Sequence, residues 1–500
     1  MAEKKDDKNK DKKESKLAKP IGYLLAIGFF VMGCVTVGVA LNTELVPTKM
    51  IAIVGVALLA LTVLFIALQN WKVTGVIAKV LSVLLSLVLL LACNYMKFTG
   101  DKIAEMSGVK TKIDNIQVYV LYEDKAQNIN DAIDYKFGIL RELDRANTEI
   151  FLEDINLELK KEVETVEYEN AYMLITALYK GDVGAIILNS GYENFITEAK
   201  GFEDFKDKVR SIGYKEIESS SVEKDEAEDK KRYIYGENVL TLYVSGVDTR
   251  GSANVNSNSD VNILVVINFK THQVLLIHTP RDYYVPISIG GGAKDKLTHT
   301  GSHGVNVSVD TMELLYGVNI DDYVRINFKG FTDIIDALGG IEVDSEYAFE
   351  QDGNVYSVGV NQLDGTAALN FARSRQFPDG DRTRGKNQMK VIEAMIGKAS
   401  SSDFLKNYKK VLNSVSDTVV TSMDYNRIAD IVKMQLEESI TWDVQKYSVN
   451  GFDSQGVTYS AGDQLLYVME PDGQTVSQAK EYLRQIYNDE IVTVPVEEGE

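Results

Sequence analysis

Between Tyr243 and Gln388 the chain gathers arginines and carboxylates at the ends of apolar runs. They are Gly246-Val-Asp-Thr-Arg250, Ser259-Asp260, Thr279-Pro-Arg-Asp282, Ala372-Arg-Ser-Arg375 and Gly380-Asp-Arg-Thr-Arg384. Arginine offers a planar fork of donors that grips phosphate oxygens two at a time, and hard cations such as magnesium take carboxylate and phosphate oxygens together. The set suits a pyrophosphate and a divalent cation, and marks this stretch as the expected active site.

Asp248 and Asp260 bracket a Gly/Ser/Asn-rich loop, at the end of one buried strand and the start of the next. Adjacent strands would bring both carboxylates to one Mg2+; the alternative is that Asp248 makes a local turn and Asp260 caps its strand. Arg373 and Arg375, two apart where a helix exits into extended chain, would point to one face. Arg281, Arg382 and Arg384 fall on loops, where the plain alternative is a surface ion pair. Asp248 or Asp282 would take the proton of an attacking hydroxyl, a choice the residues leave open. His299 and His303 have the spacing of a zinc pair, but Gly301 lies between them and no zincin glutamate or third ligand accompanies them. Turn polarity or substrate contact is expected there instead. Without a Gly-x-Ser-x-Gly elbow, a Walker-A loop or a Cys-His pair, the common hydrolase and nucleoside-triphosphatase chemistries lose support.

Such side chains need a sheet to hold them. Residues 239–244, 261–267 and 273–277 read as three apolar strands. Helical patterns follow at 309–316, 331–338, 365–371 and 388–398, with a strand at 341–344, and more helix at 403–415, 425–436 and 476–487. The order predicts an α/β fold, an αβα sandwich about a mixed central sheet, over residues 237–489. Its apolar helices at 331–338 and 388–395 serve the core or line a groove for a lipid tail. Upstream, residues 105–217 alternate strand and helix patterns as a small α/β accessory domain. Within it, Lys180-Gly-Asp-Val-Gly-Ala-Ile-Ile-Leu188 bears a faint likeness to a substrate-binding-protein lobe and raises ligand or partner binding. Residues 218–236 read as a linker and 490–500 as a disordered tail.

Residues 21–94 contain three runs almost free of charge (21–41, 50–69 and 73–94), each about the ~20 residues a transmembrane helix needs. Residues 1–20 carry eight lysines, the positive flank expected of a cytoplasmic tail, so an odd number of spans puts the remainder outside the cell membrane. Both cysteines, Cys34 and Cys93, fall in the spans, which leaves the outer part no thiol for disulfides or soft metals. A net charge of −20 and the lack of a helix-turn-helix pattern argue against nucleic acid as a partner.

Taken in order, Gly246-x-Asp-x-Arg250, Ser259-Asp260, Thr279-Pro-Arg-Asp-x-Tyr-Val285, Tyr323-Val-Arg-Ile-Asn-Phe-x-Gly-Phe331, Ala337-Leu-Gly-Gly-Ile-Glu-Val343 and Ala372-Arg-x-Arg375 resemble the LytR-CpsA-Psr family of Gram-positive cell-envelope proteins. The resemblance covers residues 238–400. It implies transfer of a glycopolymer phosphate from an undecaprenyl-pyrophosphate carrier to a cell-wall acceptor, commonly peptidoglycan, on an αβα fold. It also implies that Asp248 and Asp260 are magnesium-linked acids, and that Arg250, Arg281, Arg373, Arg375 and Arg384 bind pyrophosphate. Two departures stand out: Lys296-Leu-Thr-His-Thr-Gly301 replaces the Lys-Ile-Asn-Ala-Ala-Tyr of many members, and Asn387 replaces a usual arginine. The expectation is a membrane-anchored extracellular phosphotransferase. Its rivals are a hydrolase of lipid-linked pyrophosphates and a non-enzymatic receptor that binds them.

Overall fold

In the computed structural model, residues 3–109, 111–220, 236–247, 252–377, 380–400, 411 and 418–495 are described. Asp248 and Arg250 lie outside the described residues, as do 221–235 of the expected linker and nearly all of the helix expected over 403–415. The chain divides into two compact units, residues 1–107 with 424–440, and residues 108–423 with 441–500.

In the first unit the apolar runs become helices α1 (Glu3–Thr43), α2 (Thr48–Leu68) and α3 (Lys72–Met106), each containing a stretch long and apolar enough to cross a membrane. A helix satisfies its own backbone donors and acceptors, which is what hydrocarbon demands. Leu24, Ile53, Val56 and Val73 are exposed on these helices, an apolar surface suited to lipid. Phe29 and Phe65 meet edge to face at 5.3 Å between α1 and α2. The amphipathic helix Tyr425–Glu438, capped by Asp424, belongs to this unit, and the Tyr425 hydroxyl donates to the Thr43 carbonyl at 2.5 Å.

The second unit opens with a five-stranded sheet of β1 (Thr111–Leu121), β2 (Lys136–Leu140), β3 (Glu164–Tyr168), β4 (Ala185–Asn189) and β5 (Val209–Ser220), in the order β3-β2-β4-β1-β5. Strands β2, β3 and β4 are mutually parallel, and β1 runs against β4 and β5. Helices α4 (Arg145–Leu159) and α5 (Ala171–Lys180) cover its two faces with Phe151 and Ile155 on one side and Leu174 and Ile175 on the other.

A six-stranded mixed sheet follows. Strands β6 (Val239–Val247), β7 (Ser259–Asn268) and β8 (Gln273–His278) form an antiparallel meander. The short β9 (Tyr284–Pro286) and β10 (Lys294–Lys296) pair beside it, α6 (Val305–Tyr316) crosses back, and β11 (Asp322–Asn327) joins β6 in parallel. After α7 (Phe328–Ala337), β12 (Ile341–Ser345) pairs antiparallel with β15 (Gly359–Leu363), and the chain between them forms a small hairpin of β13 (Phe349–Gln351) and β14 (Asn354–Tyr356). Helices α8 (Gly365–Arg373) and α9 (Asp381–Ala399) come next. The sheet is completed by β16 (Val419–Thr421) on β11 and β17 (Asp443–Ser448) on β8; β18 (Gly451–Val457), β19 (Leu465–Pro471) and α10 (Gly473–Tyr487) end the unit.

Strand β8 is buried at every position, as a strand covered on both faces must be. Leu275 and Ile277 pack with Val309 and Met312 of α6 and Leu483 and Ile486 of α10. The opposite face turns the His278 ring to Gly385 of α9, where an added Cβ would lie 2.1 Å from a ring carbon. The architecture is the expected αβα sandwich. Gly301 shows how tightly the turn before α6 is wedged, because a Cβ there would sit 2.5 Å from the Ser257 carbonyl oxygen and 2.7 Å from the Ser259 nitrogen. Gly301→Ala should destabilise by about 1–3 kcal/mol, since backbone on both sides must shift; thermal unfolding checks this, and an unchanged Tm would mean the turn relaxes freely.

The segment 490–495 differs from the expected disordered tail. Val492 is 1 % exposed and its N–H donates to Gln273 Oε1 at 2.9 Å, while the Val494 N–H donates to Gln445 Oε1 at 3.0 Å. Two glutamines on β8 and β17 thus tie the segment to the sheet, pairings that no local pattern announces.

Candidate functional site

The sheet delivers its polar residues to one edge. Parallel β6 and β11 both end there, antiparallel β7 begins there, and β8 ends there. Asp260 therefore opens β7, residues 279–282 leave β8, and α7 leaves β11 at the same rim, the usual place for a ligand in an open α/β sheet. Arg325 on β11, wholly buried, donates to the Ser257 carbonyl at 3.0 Å and pins the loop that leads into Asp260. Burial pushes this guanidinium down to about 10, with its charge intact at neutral pH.

Arg281 is the centre of the arrangement. Its Nη1 donates to Asp260 Oδ1 at 2.9 Å, and its Nε lies 3.4 Å from Asp282 Oδ2. Burial alone would lower its pKa, but Asp260 and Asp282 hold it above the ordinary arginine value. The Thr298 hydroxyl also donates to Asp260 Oδ1, at 3.2 Å. Asp282 faces inward, 4 % exposed, with its Oδ1 taken by Lys296 Nζ at 3.1 Å. With both oxygens engaged, Asp282 is arranged to orient Arg281 and Lys296.

Behind these lies a polar cluster that sequence reasoning missed. Lys296, 4 % exposed, is also paired at 2.7 Å with Glu198, which comes from the accessory domain. His299 is fully buried, with Nδ1 donating to Asp295 Oδ1 at 2.6 Å and Nε2 3.4 Å from Glu198 Oε2. Burial opposes its charge, yet Asp295 and Glu198 raise its pKa to about 9. Burial likewise opposes ionisation of Glu198, and His299 and Lys296 overcome it, lowering it to about 2. His303 Nε2 meets Ser460 Oγ at 2.8 Å and is held at about 4 by burial. The i, i+4 spacing of Asp295 and His299 was a usable local signal for their pairing; nothing local pointed to Glu198.

These shifts set a pH dependence. A histidine raised in the folded state contributes stability that is full below its unfolded value of ~6.5 and is lost as pH rises through its folded value, here about 9. His278, lowered to about 3 by burial and Arg384, acts oppositely, as does His303, so their losses fall below pH ~6.5. Between pH ~6.5 and ~9 stability should decline by an amount on the order of 3 kcal/mol, and His299→Gln should flatten that decline. Thermal unfolding across this range decides it; equal slopes in both proteins would refute the assignment.

Arg373, Arg375 and Arg384 come to the same rim by another route. Arg373, at the end of α8, is exposed and stacks its guanidinium over the Phe328 ring at 4.5 Å, directly after β11. Ser374, which follows it, is buried and extended, and Arg375 is exposed. Arg384, in the first turn of α9, is 6 % exposed and close enough to His278, at the end of β8, to disfavour its protonation. Asn387 is buried and donates to the Phe371 carbonyl at 3.3 Å, and Gln388 donates to that of Ala372 at 3.4 Å. Where the resemblance expected an arginine, Asn387 ties α9 to the last turn of α8 and so fixes the exit that presents Arg373 and Arg375.

The accessory sheet offers its own strand ends to the later domain. Ile113 bridges Val255, Asn256 Nδ2 donates to Asp114 Oδ1 at 2.6 Å, and a Cβ on Gly191 would lie 2.9 Å from the Asn256 carbonyl oxygen. This end of the accessory sheet is thus met by residues of the later domain.

A model of the LytR_cpsA_psr family matches residues 209–472, more than half of the chain. The polyisoprenyl-teichoic acid–peptidoglycan teichoic acid transferase TagU of Enterococcus faecalis is 33% identical over 231 residues, which are 45% of this chain and 75% of that protein. The TagU of Bacillus cereus is 35% identical over 196 residues, 39% of this chain and 64% of that protein, just under two thirds of its length. Among solved structures, B. subtilis TagU aligns at a TM-score of 0.40 with 27% identity, over 52% of this chain and all of that one.

Proposed function

The chain belongs to the LytR-CpsA-Psr family, and from that premise we propose that it is a membrane-anchored transferase. In this reading it moves a glycopolymer phosphate from an undecaprenyl-pyrophosphate carrier to peptidoglycan outside the cell. The observation that carries this reading is Arg281, fixed between Asp260 and Asp282 at the sheet rim that also bears exposed Arg373 and Arg375. A guanidinium already charged and oriented presents its remaining donors to phosphate oxygens without reorganisation. Three helices able to cross a membrane keep such a site near a lipid-linked donor.

The acceptor hydroxyl attacks the phosphorus nearer the glycan, forming the acceptor–O–P bond. The P–O bond to the bridging oxygen breaks, and undecaprenyl phosphate leaves with that electron pair. Arg281, Arg373, Arg375 and Arg384, with Arg250, bind the oxygens on which charge gathers. The hydroxyl proton needs a base with a free oxygen; the inward, doubly engaged Asp282 fits that poorly, and Asp248 is the other candidate in this reading. Asp260 supplies a hard carboxylate oxygen suited to Mg2+, which with Asp248 and the substrate's phosphates would complete an oxygen-only ligand set. When bound, Mg2+ would neutralise pyrophosphate charge and polarise its oxygens.

The deciding experiment incubates the full-length chain in detergent with a short-chain polyprenyl-pyrophosphate glycan and peptidoglycan oligomers, with magnesium or with chelator. Glycan phosphate bonded to the acceptor in magnesium alone supports the transferase. Free phosphoglycan would replace it with the hydrolase, and tight donor binding without product would replace it with the receptor.

A further inference from the structure

Glu198 belongs to the accessory domain, yet its carboxylate enters the cluster behind Arg281. The path is continuous: Glu198 to Lys296 at 2.7 Å, Lys296 to Asp282 at 3.1 Å, and Asp282 to Arg281 at 3.4 Å. A second branch runs from Glu198 to His299, whose chain neighbour Thr298 donates to Asp260. The residue after Glu198 is locked in place, because Ala199 is fully buried with Tyr172, Ala461 and Leu466 in an apolar seam shared by the two domains.

We propose that Glu198 is a positioning residue of the transfer site, through which the accessory domain holds Lys296, Asp282 and Arg281 in the arrangement that receives a pyrophosphate. The inference rests on the reading of that rim as a pyrophosphate site. Lys296 is a buried ammonium shared by two carboxylates, and such a charge tolerates the loss of a partner poorly. Without the charge of Glu198, Lys296 draws on Asp282 alone and competes with Arg281 for it. Displacing a phosphate-binding fork by about 1 Å is enough to weaken a site strongly. Simple Coulomb reasoning predicts the opposite sign, since removing a negative charge near an anion site should tighten anion binding. The sign of the effect therefore separates positioning from mere proximity.

The test measures binding of geranylgeranyl pyrophosphate with magnesium to the full-length chain in nanodiscs, for wild type and Glu198→Gln. Glutamine keeps the shape, and Lys296 and His299 keep Asp282 and Asp295, so the variant should fold, with a lower Tm because two buried cations lose one of their partners. Binding should weaken roughly tenfold. Equal or tighter binding by folded Glu198→Gln overturns the proposal. If that variant does not fold, hydrogen exchange of the wild type decides: linkage is reciprocal, so the pyrophosphate must slow exchange over residues 193–202, and unchanged exchange overturns the proposal. Wild type that binds no pyrophosphate overturns both the site reading and this inference. Wild type that binds without transferring overturns the transferase reading alone, and the comparison with Glu198→Gln still decides this one.

Discussion

Arg281→Ala should lower glycan-phosphate transfer by about a thousandfold, the scale of removing an oriented donor from a site where charge develops. It should also cost stability, because Asp260 and Asp282 lose the cation between them; Asp282, deeply buried, keeps only Lys296. A cost of about 2–3 kcal/mol is expected, below the range for a fully buried pair because Arg281 keeps 22% of its side chain exposed. Arg281→Lys separates the two effects. Lysine restores a charge between the acids and hence most of the stability, but its point charge cannot reproduce the fork, so transfer should stay low. Initial rates and thermal unfolding of the three proteins test this together, and a folded Arg281→Ala with ordinary rates would remove Arg281 from the site.

Asp260→Asn carries the second large effect. The amide keeps the size of the side chain but loses the charge that meets Arg281 and, in the proposed mechanism, the cation. Transfer should fall at least a hundredfold, and the magnesium concentration for half-maximal rate should rise at least about tenfold. A magnesium titration of both proteins distinguishes two roles for this carboxylate. A lower rate with an unchanged magnesium profile would leave Asp260 as an anchor for Arg281 only.

Local sequence was enough to predict the three long apolar helices, the three strands of the meander and the order of acids and arginines at their ends. Apolar runs, period-two patterns and turn residues act within a few positions of themselves. The six motifs from Gly246 to Arg375 identified the family for the same reason, since each is a short string at a strand end. The residue types that the structure brings to the rim were likewise legible, because acids and arginines are read directly from the chain; that they bind a pyrophosphate is our proposal.

Which of these residues touch was not legible. Asp260, Asp282 and Arg281 look alike as loop residues in the sequence, whereas the structure separates a partly exposed acid from one turned inward onto Lys296. Asn387 occupies a position the resemblance would give to phosphate, and the packing of α9 on α8 makes it a helix tether. Val492 is held by Gln273, 219 positions away, and Glu198 reaches Lys296 across 98. Contacts of that separation form only when two independently patterned surfaces dock. The sequence by itself determined the elements and the chemistry available at their ends, because those follow from neighbours along the chain. Tertiary structure alone decided which charges share a partner and which face outward, because that depends on the burial each receives from distant segments.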